Sequence, residues 1–401
     1  MQDKPSLEDL FAPCTEESFF DDYWQKKPLL QDTGPADRFD GLIQRQDIDG
    51  LVATTSSAAE ASFMLTKDGK PLSSERFLHA DGFADLAAIY EAYGKGYTLI
   101  LTALEKRWPS VAKLCRGLER SLVNHGVVLS RRVGANLYLT PAGTRGFDPH
   151  YDNHDVFVIQ LDGAKDWKIY DSIDPFPIER MRAPIPREQL PELSIATSLT
   201  AGQALYLPRG VFHEAAAAAE SSLHITLSLF PCTWVDLLAR ALPLDSNFRA
   251  ALPRLPSGAG GVDGDGTALG ELFADHARAF ASAKDLGAVA ESMMADFFDQ
   301  VQPLPDGGFE QLDLVEQVAL TSRIRQADGL VARLRTAQGR ASLRFAGSGF
   351  DGPEALDPVF RFLLSHDTFL VSELPAPLSD PSRIQLTQQL VREGLLRVES
   401  P

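Results

Sequence analysis

The spacing of apolar residues changes along the 401-residue chain. Up to about residue 125 the spacing is mainly that of helices, as in the aromatic segment 19–30, which is expected to pack on the rest of the fold and to end at Pro28. One strand is predicted at 62–66 and two further helices within 81–125. From about residue 126 the apolar period becomes two, which predicts a series of short strands.

Three predicted strands gather polar or basic side chains on one face. Residues two apart in a strand point to the same side, so their side chains stand together. The shared faces hold Asn136, Tyr138 and Thr140; Lys165, Trp167 and Ile169; and His224, Thr226 and Ser228. With strands also expected at 156–161, 195–199 and 203–207, the pattern predicts a small β-barrel with a polar, occupied interior.

A candidate metal site lies within this barrel. His150 and Asp152 are two residues apart and would share one face of an extended strand, and His213 follows the strand-like run 205–207. Two imidazoles and one carboxylate can occupy three neighbouring positions on Fe(II) and leave three open for substrate and O2. His224 remains a competing third ligand, although a buried, hydrogen-bonded histidine is its ordinary interpretation, and His154 competes with His150 from the loop side.

An oxidation by O2 at such a centre needs a second electron source, and a 2-oxo acid can chelate the iron while leaving one position for O2. Its far carboxylate would then need a cation inside the barrel. Lys165 is the basic residue on its strand face, where an unpaired ammonium would be costly, although a turn lysine in solvent is the ordinary alternative. Tyr138 and either Ser228 or Thr226 would supply hydroxyl groups to the same carboxylate.

Composition narrows the class of protein. Lys and Arg number 38 against 55 Asp and Glu, a net charge of −17, which argues against a nucleic-acid-binding surface and favours a basic partner. The three cysteines are far apart and indicate neither a disulfide framework nor a thiolate metal site. No apolar run of transmembrane length or signal peptide is evident, so a cytoplasmic setting without membrane contact is expected.

The part that follows the barrel is helical again. Amphipathic helices are predicted at 268–283 and 285–300, after a Gly/Asp-rich linker at 257–266. Their spacing alone favours a cap on the barrel over pairing with a second copy of the chain. The tail has the element order of a winged helix, with elements predicted as a hairpin around Gln338-Gly339, helices at 355–364, near 371–376 and at 381–393, and a strand at 395–398. Few basic residues lie on the third of these helices, which argues against DNA binding.

Several motifs together resemble the Jumonji C proteins of the cupin-4 type, the ribosomal oxygenases and their bacterial relatives. The N-terminal segment 23–30 is similar to the entry motif of that family, and the domain order matches over nearly the whole chain. The barrel motifs that carry the resemblance are Asn136-Leu137-Tyr138-Leu139-Thr140-Pro141, Gly146-Phe147-Asp148-Pro149-His150-Tyr151-Asp152, Asp155 to Gly163, Trp167-Lys168-Ile169-Tyr170 and Leu205 to His213.

The resemblance implies an α+β protein in three parts. The first is a Jumonji C catalytic domain at 1–235, which consists of N-terminal helices and a double-stranded β-helix of the cupin or jelly-roll type. A helical dimerisation domain at 236–325 follows, and a winged-helix-like domain at 326–401 ends the chain. It also implies that the middle helices form a dimer interface and not a cap on the barrel, so a homodimer is expected.

The resemblance further implies Fe(II) on His150, Asp152 and His213, with 2-oxoglutarate on Lys165 in a pocket lined by Tyr138 and Ser228 and O2 as the other co-substrate. The implied reaction is hydroxylation of a protein side chain, an Arg or His of a ribosomal protein. N-methyl-lysine demethylation and hydroxylation of a peptide natural product remain open alternatives. A non-catalytic cupin scaffold would be expected to lack a metal ligand or Lys165, and this chain has all of them.

Overall fold

The computed structural model describes residues 6–55, 63–172, 175–178, 187–252 and 266–399. Within them the helices are α1 (Leu7–Phe11), α2 (Glu16–Asp22), α3 (Ile48–Ala53), α4 (Leu86–Gly94), α5 (Pro109–Asn124), α6 (Trp234–Ala241), α7 (Ser246–Arg249), α8 (Gly266–Ala283), α9 (Leu286–Gln300), α10 (Gly308–Val315), α11 (Asp357–Ser365) and α12 (Asp380–Arg392). In the described part of the chain, no helix has both the length and the apolar character needed to cross a bilayer.

Strands make up the rest of the regular structure. They are β1 (Leu29–Gln31), β2 (Phe63–Lys67), β3 (Lys70–Pro71), β4 (Thr98–Leu101), β5 (Gly134–Thr140), β6 (Asp155–Asp162), β7 (Ala164–Tyr170), β8 (Leu193–Thr200), β9 (Ala204–Leu207), β10 (His213–Ala217), β11 (Ser222–Leu229), β12 (Arg323–Gln326), β13 (Ala332–Ala337), β14 (Arg340–Phe345), β15 (Ser348–Pro353), β16 (Thr368–Leu370) and β17 (Leu396–Val398). The mixture of helices with antiparallel sheets confirms the predicted α+β class.

Two antiparallel sheets face each other and form the barrel. The larger has the order β1-β9-β6-β11-β5-β4-β2-β3, and the smaller has the order β10-β7-β8. His150 extends the smaller sheet through a single antiparallel bridge to His213. A tight turn at Asp162-Gly163 joins β6 to β7. Gly163 has a φ of +65°, and a Cβ there would lie 1.8 Å from the carbonyl oxygen of Ser221.

Strand β6 explains why one stretch of sequence is apolar at nearly every position. Val156 and Val158 belong to the cluster between the two sheets, together with Trp167 of β7. Phe157 and Ile159 point the other way, into the main core under the N-terminal helices. A strand buried on both faces needs apolar residues at successive positions rather than at alternate ones.

The aromatic segment 19–30 does pack on the barrel, but it is not one helix. Helix α2 ends at Asp22. Phe19, which lies on this helix, contacts the rings of Phe157 and Tyr206. Gln25 then takes a left-handed backbone conformation and donates its N–H to the Tyr206 hydroxyl at 2.8 Å, which turns the chain. Residues 29–31 follow as the edge strand β1, because their backbone pairs with β9.

Seven of the strands in the described residues were not predicted, namely β1, β3, β4, β10, β12, β15 and β16, and two of these, β4 and β10, show why. β4 lies between the two helices expected at 81–125; its four residues are all buried, and a short apolar run of this kind does not distinguish strand from helix. β10 begins at His213 and continues through Glu-Ala-Ala-Ala, a composition that favours helix, yet it pairs along β7. His213 therefore starts a strand instead of ending the one at 205–207.

Most of the elements predicted in the helical and C-terminal parts are present, whereas α10, β12, β15 and β16 were not predicted. The helices predicted at 268–283 and 285–300 are α8 and α9, and the hairpin around Gln338-Gly339 is formed by β13 and β14. Of the tail helices, α11 and α12 are present and the one expected near 371–376 is a 3-10 turn at Val371–Glu373. Strand β12 pairs with β16 and β17 and spans the expected boundary at 325/326. The linker expected at 257–266 lies outside the described residues except for Gly266, the first residue of α8.

A buried carboxylate ties α5 to the start of β5. Glu119 is fully buried and accepts hydrogen bonds from Arg116 Nε at 3.0 Å, Arg132 Nε at 3.3 Å and the Val133 N–H at 3.0 Å. Arg116 is itself buried and also donates to the Gln302 carbonyl, so the network reaches the segment after α9.

Replacing Glu119 by alanine is expected to lower the free energy of unfolding by roughly 3–5 kcal/mol, because Arg116 would be left as a buried charge without its carboxylate. Urea unfolding measures this difference. The exposed ion pair of Glu91 and Lys95 on α4 is the control, and Glu91→Ala is expected to change the unfolding midpoint little. Equal effects of the two substitutions would contradict the structural role of Glu119.

Candidate metal centre

A cavity opens between the two sheets of the barrel. It has a volume of about 680 Å³ and is lined by side chains from β5, β6, β7, β10 and β11 and from the segment 146–154 that leads into β6. All three polar strand faces predicted from the sequence contribute to this lining, which includes Asn136, Tyr138, Lys165, Trp167, His224, Thr226 and Ser228.

His150, Asp152 and His213 come together in this cavity. Their candidate ligand atoms all lie within 4.8 Å of one another, and His213 Nε2 is 3.7 Å from Asp152 Oδ2. His150 and His213 pair through two backbone hydrogen bonds of 3.0 and 2.8 Å, so their rings stand side by side. The Gly210 N–H donates to the Asp152 carbonyl at 2.9 Å and holds the third residue against the turn before His213. The segment 150–152 is thus positioned by its contacts, although it is not a regular strand.

Both imidazoles are oriented by backbone carbonyl groups. His150 Nδ1 lies 2.8 Å from the Asp148 carbonyl oxygen, and His213 Nδ1 lies 3.1 Å from that of Val211. A ring that donates from Nδ1 keeps its Nε2 lone pair for a metal ion, which is the usual arrangement around metal-binding histidines. Burial, followed by the neighbouring imidazole of His150, lowers the pKa of His213 to about 4, so this ring is neutral at pH 7.

These observations fit a metal ion. Two neutral imidazole nitrogens and one carboxylate are the donor set of non-haem Fe(II) sites with open coordination positions. His224 and His154 both line the cavity, but neither belongs to the three-residue group within the part of the chain described. The sequence pointed to His150 and Asp152 through their spacing; it carried no signal for the two carbonyl groups that orient the rings.

Lys165 lies inside the same cavity and not in solvent. Its side chain is 5% exposed, and its Nζ is 3.5 Å from Thr140 Oγ1 and 6.0 Å from the centre of the Tyr138 ring. No carboxylate pairs with Lys165 within the described residues. Burial lowers the pKa of Lys165 to about 7, which reflects the cost of keeping an ammonium in this position without an anion.

Hydroxyl groups line the wall between the metal-binding group and Lys165. Tyr138 is hydrogen-bonded to Thr226 and Asn136, and burial, followed by the Asp152 carboxylate, raises the pKa of Tyr138. Ser228 lines the same wall two residues beyond Thr226 on β11. The four residues predicted to hold a co-substrate are therefore brought together in one cavity.

Residues 118–237 match the family described as the JmjC domain, and they include β5 to β11 and the three metal-binding candidates. This segment is therefore similar to a JmjC domain. Curated relatives include the bifunctional lysine-specific demethylase and histidyl-hydroxylase NO66 of Dictyostelium discoideum, 30% identical over 62% of this chain and 49% of that protein. Ribosomal oxygenase 1 of Gallus gallus is 31% identical over 61% of this chain and 41% of that protein. The chain spans half or less of the length of these relatives.

Solved structures of the E. coli protein YcfD share the fold of this chain. One has a TM-score of 0.57 at 18% identity and covers 96% of this chain and 98% of YcfD. Another, with a TM-score of 0.52, 18% identity and the same coverage, is that of YcfD, a ribosomal oxygenase, in complex with cobalt and 2-oxoglutarate. At this level of identity the likeness establishes the architecture, and it extends over the helical and C-terminal parts as well as the barrel.

Proposed function

We propose that this protein is an Fe(II)- and 2-oxoglutarate-dependent oxygenase that hydroxylates a protein side chain. The observation that carries the proposal is the shared cavity. It contains three candidate metal ligands and a buried ammonium that pairs with no carboxylate of the described residues. A metal chelator with a second, distal carboxylate satisfies both, and 2-oxoglutarate has that chemistry.

Each residue of the cavity has a role in this proposal. His150, Asp152 and His213 hold Fe(II), and the Asp148 and Val211 carbonyls keep the two rings aimed at it. Lys165 binds the distal carboxylate of 2-oxoglutarate, and Tyr138, Thr226 and Ser228 offer hydroxyl groups along the path between them. Val156, Val158 and Leu207 form apolar walls that keep bulk water from this path.

When bound, the metal supplies the reaction of O2 with 2-oxoglutarate: one oxygen atom enters the carboxylate of succinate as CO2 is lost, and the other becomes the hydroxyl group on the target carbon. The chain's own contribution is to place the co-substrate in one orientation. Lys165 fixes its far end, so the 2-oxo carboxylate end faces His150, Asp152 and His213.

An Arg or His side chain of a ribosomal protein is the target we propose. The support comes from the names of the relatives, which are ribosomal oxygenase and histidyl-hydroxylase. A net charge of −17 favours encounter with a basic protein. Because the NO66 relatives are also named lysine-specific demethylases, removal of a methyl group from N-methyl-lysine is the second candidate.

Mass spectrometry of ribosomal proteins from cells with and without this gene tests the proposal. Hydroxylation predicts one protein that is heavier by one oxygen atom only when the gene is present, and the purified enzyme with Fe(II) and 2-oxoglutarate should restore that mass on protein from the deletion strain. Methylated lysine that accumulates in the deletion strain would favour demethylation instead. Unchanged masses together with no 2-oxoglutarate turnover would contradict both.

The affinity for 2-oxoglutarate is expected to depend on pH through Lys165. Its pKa is lowered to about 7 in the free protein, and the carboxylate binds only the protonated form, so the dissociation constant should be level below pH 7 and rise above it. The rise is at most about tenfold per pH unit, since one proton is linked to binding. Calorimetric titration at several pH values measures it. In Lys165→Arg the guanidinium stays protonated, and the rise should be absent.

We further propose that the helices at 236–325 form a homodimer and that the winged-helix-like tail at 326–401 does not bind DNA. Large apolar side chains are exposed on and around α6 to α8, including Trp234 at 74%, Leu252 at 78% and Phe273 at 62%. A dimer interface would bury such side chains, and large exposed apolar patches are typical of interaction surfaces.

Sedimentation is expected to show a dimer at micromolar concentration, and the double substitution Trp234→Glu and Phe273→Glu should shift it towards monomer, because charges would be placed in the interface. Tyr90→Glu is the control; Tyr90 is also half exposed but lies on α4, within the N-terminal part. A wild-type protein that sediments as a monomer would count against the proposed interface.

A further inference from the structure

One imidazole nitrogen in the cavity lacks a hydrogen-bond partner within the described part of the chain. His224 on β11 is 2% exposed and lines the cavity, and its Nδ1 is buried without a hydrogen-bond partner within the residues that the structure describes. Buried polar side-chain atoms are nearly always hydrogen-bonded, and an unsatisfied one calls for an explanation. In a ligand cavity, the explanation to consider first is a partner that arrives with the ligand.

The ring of His224 is held firmly in its position. It stacks on the ring of Tyr138, the residue opposite it on β5, with ring centres 4.7 Å apart and an angle of 5° between the ring planes. The Trp167 ring meets it edge-on at 6.1 Å. Such packing fixes the direction of a polar group before a ligand binds, which reduces the cost of ordering it.

His224 lies at the Lys165 end of the cavity. The Lys165 ammonium is near the Tyr138 ring on which His224 stacks, and after burial the charge of Lys165 is the next cause that lowers the pKa of His224. The imidazole is therefore neutral at pH 7 and carries one N–H donor. Its place outside the three-residue metal-binding group leaves it free of a ligand role at the metal.

We propose that His224 selects 2-oxo acids with a second carboxylate, by donating a ring N–H to the same distal carboxylate that Lys165 binds. This inference rests on the proposed function, which supplies the co-substrate. A monocarboxylic 2-oxo acid of the same length would place a methyl group against two buried polar groups and leave both unsatisfied. Sites built to hydrogen-bond a group reject analogues that lack it far more strongly than apolar pockets do.

The test compares 2-oxoglutarate with 2-oxopentanoate, which has the same carbon chain and lacks the distal carboxylate. Binding of each to wild type, His224→Phe and His224→Asn is measured by calorimetry with Fe(II) present and O2 excluded. His224→Phe is expected to weaken 2-oxoglutarate binding about 10- to 100-fold, as for loss of a hydrogen bond to a charged group, and to leave 2-oxopentanoate binding nearly unchanged. His224→Asn keeps a donor and should give an intermediate loss. Fe(II) affinity should be the same in all three.

Each outcome has a distinct meaning. Equal weakening of both acids would indicate a role in packing only, and no weakening of 2-oxoglutarate would show that His224 does not contact it; either result overturns the inference. A wild-type protein that binds the two acids equally well would contradict the proposed function itself. If His224→Phe does not fold, the same ratio of dissociation constants in His224→Asn and His224→Leu decides between these outcomes.

Discussion

Replacing His213 by alanine is expected to abolish Fe(II) binding and, with it, all 2-oxoglutarate turnover. His213 contributes one of three candidate ligands that lie within 4.8 Å of one another, and its buried, neutral ring is a donor that alanine does not supply. Loss of partners that merely support a metal ligand weakens affinity by 10- to 100-fold, so loss of the ligand itself should exceed about 100-fold. His150→Ala and Asp152→Ala are expected to have the same result.

Thermal unfolding with and without metal provides a readout that is independent of activity. A metal ion present at about 100 times its dissociation constant stabilises the folded state by about 2.7 kcal/mol, so the wild-type midpoint should rise when Fe(II) or Co(II) is added under nitrogen. The midpoint of His213→Ala should not respond. His154→Ala is the matched control, because His154 lines the same cavity outside the ligand group and should keep the wild-type response. A response lost in His154→Ala and kept in His213→Ala would show that the ligand set is wrong.

The sequence predicted the grouping of these residues for a reason that was only partly right. The spacing of His150 and Asp152 predicts one face of a strand, whereas the segment is an extended connection with a single bridge to His213. The prediction of their proximity held because alternate residues of any extended segment point the same way. The third residue was less certain, since His224 also faces the cavity, and only the three-dimensional arrangement separates the two histidines.

Features that depend on pairing between distant segments could not be read from the sequence. The residues of β10 include three consecutive alanines, which favour helix in isolation and become a strand through pairing with β7. The same pairing sets Ala217 opposite Lys165 and Ala215 opposite Trp167, and small residues at these positions leave room for the two large side chains. Lys165 is buried, and His224 Nδ1 lacks a hydrogen-bond partner within the described residues, as a result of this packing. The neighbouring sequence predicts neither feature.

Replacing Lys165 by methionine is expected to weaken 2-oxoglutarate binding by roughly two to four orders of magnitude while Fe(II) binding stays intact. Lys165 is the buried cation of the cavity, and removal of one member of a desolvated ion pair costs roughly 3–5 kcal/mol, or a factor of ten for each 1.4 kcal/mol. Methionine has a similar length and no charge, so the cavity is neither enlarged nor blocked. Anaerobic calorimetry with Fe(II) present measures both affinities.

The stability of the metal-free protein separates this role from a structural one. In the free protein the Lys165 ammonium is buried, and among the described residues no carboxylate pairs with it. Desolvation lowers its pKa to about 7, so the charge opposes folding when no co-substrate is bound. Lys165→Met should consequently unfold at the same temperature as wild type or a higher one. Lys168 on the opposite face of β7 lies 3.8 Å from Glu214 and is half exposed, so Lys168→Met should leave 2-oxoglutarate affinity unchanged. If Lys165→Met had the wild-type dissociation constant for 2-oxoglutarate, Lys165 would not be the residue that binds its distal carboxylate. Arg132 would not be the alternative cation, because its guanidinium is bound to Glu119 outside the cavity lining.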